Sequence, residues 1–254
     1  MIAAARKAGR GLARDFGEVE QLQVSKKGPG DFVTAADLKA EKVIYEELSK
    51  ARPGYGFLME ERGDVAGTDK THRFIVDPLD GTLNYLHGLP HFAISIGLER
   101  DSELVAGVVY DVAKNELFWA EKGQGAWLGE RRLRVAARTK LSEALIVTGM
   151  AHPTRSDATA RDRFMGEFDR VAAASAGLRR SGSAALDLAW VAAGRFDAYW
   201  ERSLSPWDIA AGAVIVREAG GFAREVDGGD FMQTGAILAA NEALMKPLAA
   251  AIKG

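Results

Sequence analysis

The stretch Phe74-Ile75-Val76-Asp77-Pro78-Leu79-Asp80-Gly81-Thr82 constrains this chain more than any other. Phe74, Ile75 and Val76 read as a buried strand. Pro78 has no amide hydrogen to give a sheet ladder, so the strand is predicted to end at Asp77, with Asp80-Gly81 forming the turn that follows. Two carboxylates are thereby released at one strand end. Thr82 opens a short segment, Leu83 to His87, of one or two helical turns whose unpaired backbone N–H groups face the same spot. Such an Asp-Gly pair can serve simply as a turn, and a pre-helical Asp simply as a cap. Acids that repel phosphate, set beside amides that hold it, make joint sense when divalent cations sit between them. Hard cations take carboxylate oxygens and also bridge phosphate oxygens.

Composition removes several alternatives. Cysteine is absent, which excludes disulfides and thiolate metal sites, and with four histidines in 254 residues any metal is expected on oxygen. A net charge of −2 carries no basic excess, so no nucleic-acid partner is expected. Arg6, Lys7, Arg10 and Arg14 break the opening segment too often for a signal peptide, and no apolar run approaches the roughly 20 residues of a membrane span. A cytoplasmic location without membrane association is the expectation.

The rest of the chain reads as helices, then hairpins, then mixed elements. Ala5, Ala8, Leu12 and Phe16 give residues 2 to 16 one buried helical stripe, and Ser25 to Gly30 reads as a loop carrying Lys26 and Lys27. Thr34 is predicted to cap a helix to about Lys50, with Asp37 on its inner side in the first turn. Phe57-Leu58-Met59 is a strand ending at Glu60-Glu61. Runs at 92–99, 104–109 and 116–120 form antiparallel hairpins, with further strands around Trp127 and at Leu145 to Thr148. Residues 157 to 175 form a helix with Phe164, Phe168 and Val171 inward. Ser183 caps a helix from Ala184 to Ala193, and the strand from Phe196 to Trp200 delivers Glu201 to its end. Ser205-Pro206-Trp207-Asp208 is a helix start in its own right, yet the apolar helix it begins is so buried that an acid there needs a cation. This order of elements predicts α+β layers, with a half at 1–140 carrying most of the acids and a half at 141–254 carrying Asp208.

Asp77-Pro78-Leu79-Asp80-Gly81-Thr82 resembles the signature of the inositol monophosphatase family, whose members are Mg²⁺-dependent, lithium-sensitive phosphatases. Leu58-Met59-Glu60-Glu61 and Pro206-Trp207-Asp208-Ile209-Ala210-Ala211-Gly212 resemble two further family segments. Asp31 to Asp37 and Arg180 to Ala185 extend the likeness over nearly the whole chain. The family usually carries Gly where Met59 stands. The resemblance implies a layered αβαβα sandwich with a mostly antiparallel N-terminal sheet. It implies Mg²⁺ held by Glu60, Asp77, the Leu79 carbonyl, Asp80 and Asp208, as two ions or three, with the third held weakly beside Glu60. It implies catalysis by Glu60, Thr82 and Asp37, with Lys26 near the metal-bound waters. Substrate contacts fall to Asp80, Gly81, Thr82, Gly182, Ser183, Ala184, Glu201 and Asp208. The implied reaction is hydrolysis of inositol monophosphates by a homodimer. Fructose 1,6-bisphosphate, histidinol phosphate, nucleotide 3′-phosphates and NADP are alternative substrates within the same fold, and a regulatory macromolecule-binding role with secondary catalysis is the alternative outside it.

Overall fold

A computed structural model describes residues 1–16, 24–28, 31–150 and 158–254, with 24–28 and 31–34 followed as backbone alone. Helices α1 (Ile2–Phe16) and α2 (Ala35–Ala51) flank a hairpin of β1 (Val24–Gly28) and β2 (Asp31–Thr34). The expected loop at Ser25 to Gly30 is therefore largely strand, because the backbone of 24–28 pairs with 31–34. Thr34 ends β2, and the capping expected of its side chain lies outside the described residues.

An eight-stranded sheet follows. It comprises β3 (Gly56–Met59), β4 (Gly63–Val65), β5 (His72–Asp80), β6 (Ala93–Arg100), β7 (Glu103–Asp111), β8 (Glu116–Glu121), β9 (Gly125–Leu128) and β10 (Arg131–Arg132), with α3 (Thr82–Leu86) between β5 and β6. The spatial order is β10-β9-β8-β7-β6-β5-β3-β4, and β3–β5 is its one parallel pair among the described residues. A second sheet holds β11 (Leu145–Thr148), β12 (Gly177–Arg179), β13 (Ala198–Glu201), β14 (Phe222–Glu225) and β15 (Ile237–Ala240) in the order β12-β11-β13-β15-β14. Its helices are α4 (Ala158–Ala174), α5 (Ala184–Ala192), α6 (Pro206–Glu218), α7 (Phe231–Thr234) and α8 (Glu242–Lys253).

Strand periodicity builds the layers. Phe74 and Val76 of β5 join Ala8, Leu12, Ala40 and Ile44 of α1 and α2 on one face, while Ile75 points to the other face and joins Leu188, Ile209 and Ala211 of α5 and α6. In β13, Tyr199 joins that same middle layer, and Trp200 faces Val171, Leu244 and Leu248 of α4 and α8. The result is the expected αβαβα sandwich with a mostly antiparallel first sheet. In α4 the deeply buried residues are Glu167 and Val171, and the expected Phe164 and Phe168 are only half-buried. No described helix is long and apolar enough to cross a membrane.

Two details of the fold aim the acids. Strand β5 does not end at Asp77. Asp77 pairs with Ser95 and Asp80 with Ala93, so Pro78 and Leu79 form a bulge opposite Ile94, and pairing resumes beyond the residue that lacks an N–H. Helix α6, meanwhile, lies directly on the sheet. A methyl group at Gly107 would stand 2.4 Å from the Ala211 carbonyl oxygen, so only glycine admits the helix this closely. Ser95 Oγ donates to the Trp207 carbonyl at 3.1 Å and fixes the start of α6, with Asp208, beside the bulge.

Candidate active site

Parallel pairing of β3 with β5 sets Glu60 against Asp77. The Glu60 amide donates to the Val76 carbonyl at 3.1 Å, continuing the ladder one residue past β3. Asp77 is 2 % exposed, and its Oδ1 accepts the Leu79 amide at 2.9 Å. Burial, then the charges of Glu60, Asp80 and Asp208, push its carboxyl well above the usual range. Asp80 is pushed up to about 7 by burial and then by Asp208, against hydrogen bonds donated by Ser183 Oγ at 2.6 Å and the Ala185 amide at 2.7 Å. Glu60, Asp77, Asp80 and Asp208 thus meet at one place, although they come from two strand ends and a helix start.

The remaining expected residues gather around these four. Thr82 Oγ1 lies 3.2 Å from Asp37 Oδ1 and 3.0 Å from the Leu79 carbonyl, and can donate to either. Asp208 Oδ2 accepts the Ser205 amide at 2.7 Å, completing a capping box, so this residue closes the helix start and faces the acids as well. Tyr199 donates its hydroxyl to Glu201 Oε2 at 2.6 Å, while burial raises the Glu201 carboxyl to about 8. A cavity of about 200 Å³ is lined by Glu60, Asp80, Gly81, Thr82, Gly182, Ser183, Ala184, Glu201 and Asp208. Asp77, Leu79 and Asp37 are fully buried around the same bulge. A cavity of about 440 Å³ adjoins this one and shares Gly149, Met150, Glu201, Arg202 and Ser203 with it, and another of about 550 Å³ lies between α1 and α2, so chemistry and not size marks the site. The Lys26 side chain lies outside the described residues.

The same cavity is also lined by residues to which the sequence reading gave no role: Leu83, Gly149, Met150, Arg180, Arg202, Ser203 and Leu204. Gly149 follows β11, and a methyl group there would stand 1.7 Å from Glu201 Oε1, so the glycine makes room for that carboxylate. Asp187, buried behind Asp80 in the otherwise apolar helix α5, is raised to about 8 by burial, with Ser181 and Arg180 offsetting part of the shift. An acid within Ala-Ala-Leu-Asp-Leu-Ala-Trp is a signal the sequence did contain.

Comparison with known proteins gives the family. The model of the inositol monophosphatase family matches residues 1–254. The chain belongs to the inositol monophosphatase family. This member is 58 % identical to an inositol-1-monophosphatase of Mesorhizobium japonicum over all of its own length and 94 % of the relative's. It is 42 % identical to the Nus factor SuhB of Escherichia coli K12, over 98 % of this chain and 92 % of that one. A crystal structure of the extragenic suppressor protein suhB from Bartonella henselae superposes with a TM-score of 0.95 at 53 % identity, covering 100 % of this chain and 96 % of that one. With the family comes its class of chemistry, and this member is a phosphatase.

Among the described residues, no three acids or histidines are drawn into a ready coordination sphere. The donor set nevertheless suits a hard divalent cation. The converging side chains offer carboxylate oxygens, and Asp77 and Asp80 are each held by backbone amides. The rise of both carboxyls through burial and mutual repulsion is what a bound cation would reverse.

Proposed function

We propose that this phosphatase hydrolyses inositol monophosphates, with myo-inositol 1-phosphate as the type substrate, and that it does so with Mg²⁺. The observation that carries the reading is the convergence of Glu60, Asp77, Asp80 and Asp208 beside a cavity that Gly182, Ser183, Ala184 and Glu201 also line. Glu60, Asp77 and the Leu79 carbonyl would hold one Mg²⁺, and Asp77, Asp80 and Asp208 a second, with Glu60 able to hold a weaker third. Bound there, Mg²⁺ supplies positive charge that draws in phosphate oxygens and makes nearby water more acidic. Thr82 Oγ1, set between Asp37 and the Leu79 carbonyl, orients the attacking water, and Thr82 with Glu60 takes its proton. The amides of Gly81 and Thr82 brace the phosphoryl oxygens as charge develops. Glu201 and Asp208 accept hydrogen bonds from polyol hydroxyls, beside the Gly182-Ser183-Ala184 backbone. Family likeness supports lithium sensitivity and a cytoplasmic homodimer as parts of the same reading.

Phosphate release from a panel of monoesters, with Mg²⁺ and with or without Li⁺, tests it. The wild-type protein is expected to prefer myo-inositol 1-phosphate over fructose 1,6-bisphosphate, histidinol phosphate, nucleotide 3′-phosphates and NADP, and to lose activity in chelator. Asp80→Asn is expected to abolish turnover while leaving the fold intact, since it removes charge without volume. Substantial Mg²⁺-dependent turnover in that variant sinks the assignment of Asp80. The 42 % identical relative named Nus factor SuhB favours a second reading, a macromolecule-binding role with catalysis secondary. Salt-dependent RNA binding, measured beside phosphate release, separates the two.

A further inference from the structure

Helix α2 carries two buried acids one turn apart. Asp37 is 1 % exposed and Glu41 3 %, on a face otherwise made of Ala36, Ala40, Ile44 and Leu48. A carboxylate in such surroundings costs stability unless it is hydrogen-bonded. Asp37 meets Thr82 Oγ1. Glu41 reaches instead to the turn between β3 and β4, where its Oε2 accepts the Glu61 amide at 2.8 Å and the Arg62 amide at 3.3 Å. Those are the two residues directly after Glu60. The clamp is closed from outside by Arg62, whose Nε stands 3.8 Å from Glu41 Oε1 and whose guanidinium lies 4.5 Å over the ring of Tyr45, the next turn of α2. The backbone at Glu60 is thus tied to β5 through its own amide and to α2 through the two amides that follow.

We propose that Glu41 is a positioning residue. By gripping the Glu61 and Arg62 amides it holds the Glu60 turn to the same rigid helix that carries Asp37, and so fixes Glu60 relative to Thr82. A β3–β4 turn held only by its own ends would let Glu60 swing away from Asp77. The inference rests on the metal-dependent reading above, in which Glu60 and Thr82 act on one water.

The test uses full-length protein, substrate-free, titrated with Mn²⁺ as a spectroscopic stand-in for Mg²⁺, alongside steady-state hydrolysis of myo-inositol 1-phosphate. Glu41→Gln keeps volume but weakens both amide bonds, Glu41→Asp keeps charge but falls short of the turn, and Glu47→Gln, exposed on the same helix beside Lys7, is the control. Both Glu41 variants are expected to lose about tenfold in Mn²⁺ affinity and in kcat, with KM for the ester little changed because the polyol wall is untouched. Amide hydrogen exchange at Glu61 and Arg62 is expected to quicken in both. A lowered Tm with wild-type Mn²⁺ affinity and kcat overturns the proposal, since Glu41 would then be only structural. A wild-type protein that neither binds Mn²⁺ nor hydrolyses the ester overturns the reading of a metal-dependent inositol-phosphate phosphatase and this inference with it. Both Glu41 substitutions are small enough that failure of one to fold leaves the other to decide.

Discussion

Two buried acidic places lie on either side of the end of β13 and are built in opposite ways. Glu167, 2 % exposed on α4, accepts Arg202 Nε at 2.9 Å and Trp200 Nε1 at 3.3 Å, with Arg163 Nε at 3.4 Å. Both arginines also share Asp227, at 2.7 and 3.1 Å. Asp77, equally buried, has the carboxylates of Glu60, Asp80 and Asp208 for neighbours instead. Where an acid has a structural task, the chain supplies its cation and the pair is internally neutral. At the candidate active site the acids repel one another, and part of the folding free energy goes into holding them together. On the proposed reading, a divalent cation held there would relieve that repulsion.

The sharpest way to break this contrast is Asp77→Asn. It is expected to lower Mg²⁺-dependent turnover by about three orders of magnitude, since several kcal/mol of transition-state stabilisation go with the shared ligand. The metal-free protein should at the same time melt higher, because a buried like charge is gone, and a lower Tm would mean that Asp77 is structural. The mirror experiment is Glu167→Gln, which leaves two arginines short of a buried partner. A loss of about 3 kcal/mol in denaturant-derived stability is expected, with turnover per folded molecule unchanged.

The last contrast is in pH. Asp80, Asp187 and Glu201 rise from ordinary values of 3.8, 3.8 and 4.5 to about 7, 8 and 8. Between about pH 4 and pH 8 the folded protein therefore keeps protons that the unfolded chain has released. The stability they contribute is complete below about pH 4 and is lost as pH rises toward 8. The Tm of metal-free protein is expected to fall from pH 5 to pH 8, and Mg²⁺ to restore more of it at pH 8 than at pH 5. Calorimetry over that range checks both, and a metal-free Tm that rises with pH contradicts the arrangement.

Much of the site was legible because its acids sit at element ends that local rules can find. The apolar run before Asp77, the missing amide of Pro78 and the Ser-Pro-x-Asp helix start each mark an end without reference to distant residues. The bulge at Pro78 was missed because a proline reads locally as the end of pairing, whereas pairing across it depends on β6. Glu41 and Glu167 were equally hidden. Each looks like an ordinary helical acid until the partner that buries it, a turn twenty residues on or an arginine from β13's end, is in place. Gly149 is a further case, required only by where Glu201 happens to come.

By itself the sequence determined the elements, the α+β order in which they come and the few acids exposed at their ends, because backbone hydrogen bonding, proline, caps and apolar periodicity act over a handful of residues. Only the tertiary structure decided that β3 runs parallel to β5, that α6 settles on Gly107, and that four acids from three separate elements share one space. Those outcomes depend on how closely packed layers can approach, a property of surfaces brought together by the whole fold and carried by no single stretch of the chain.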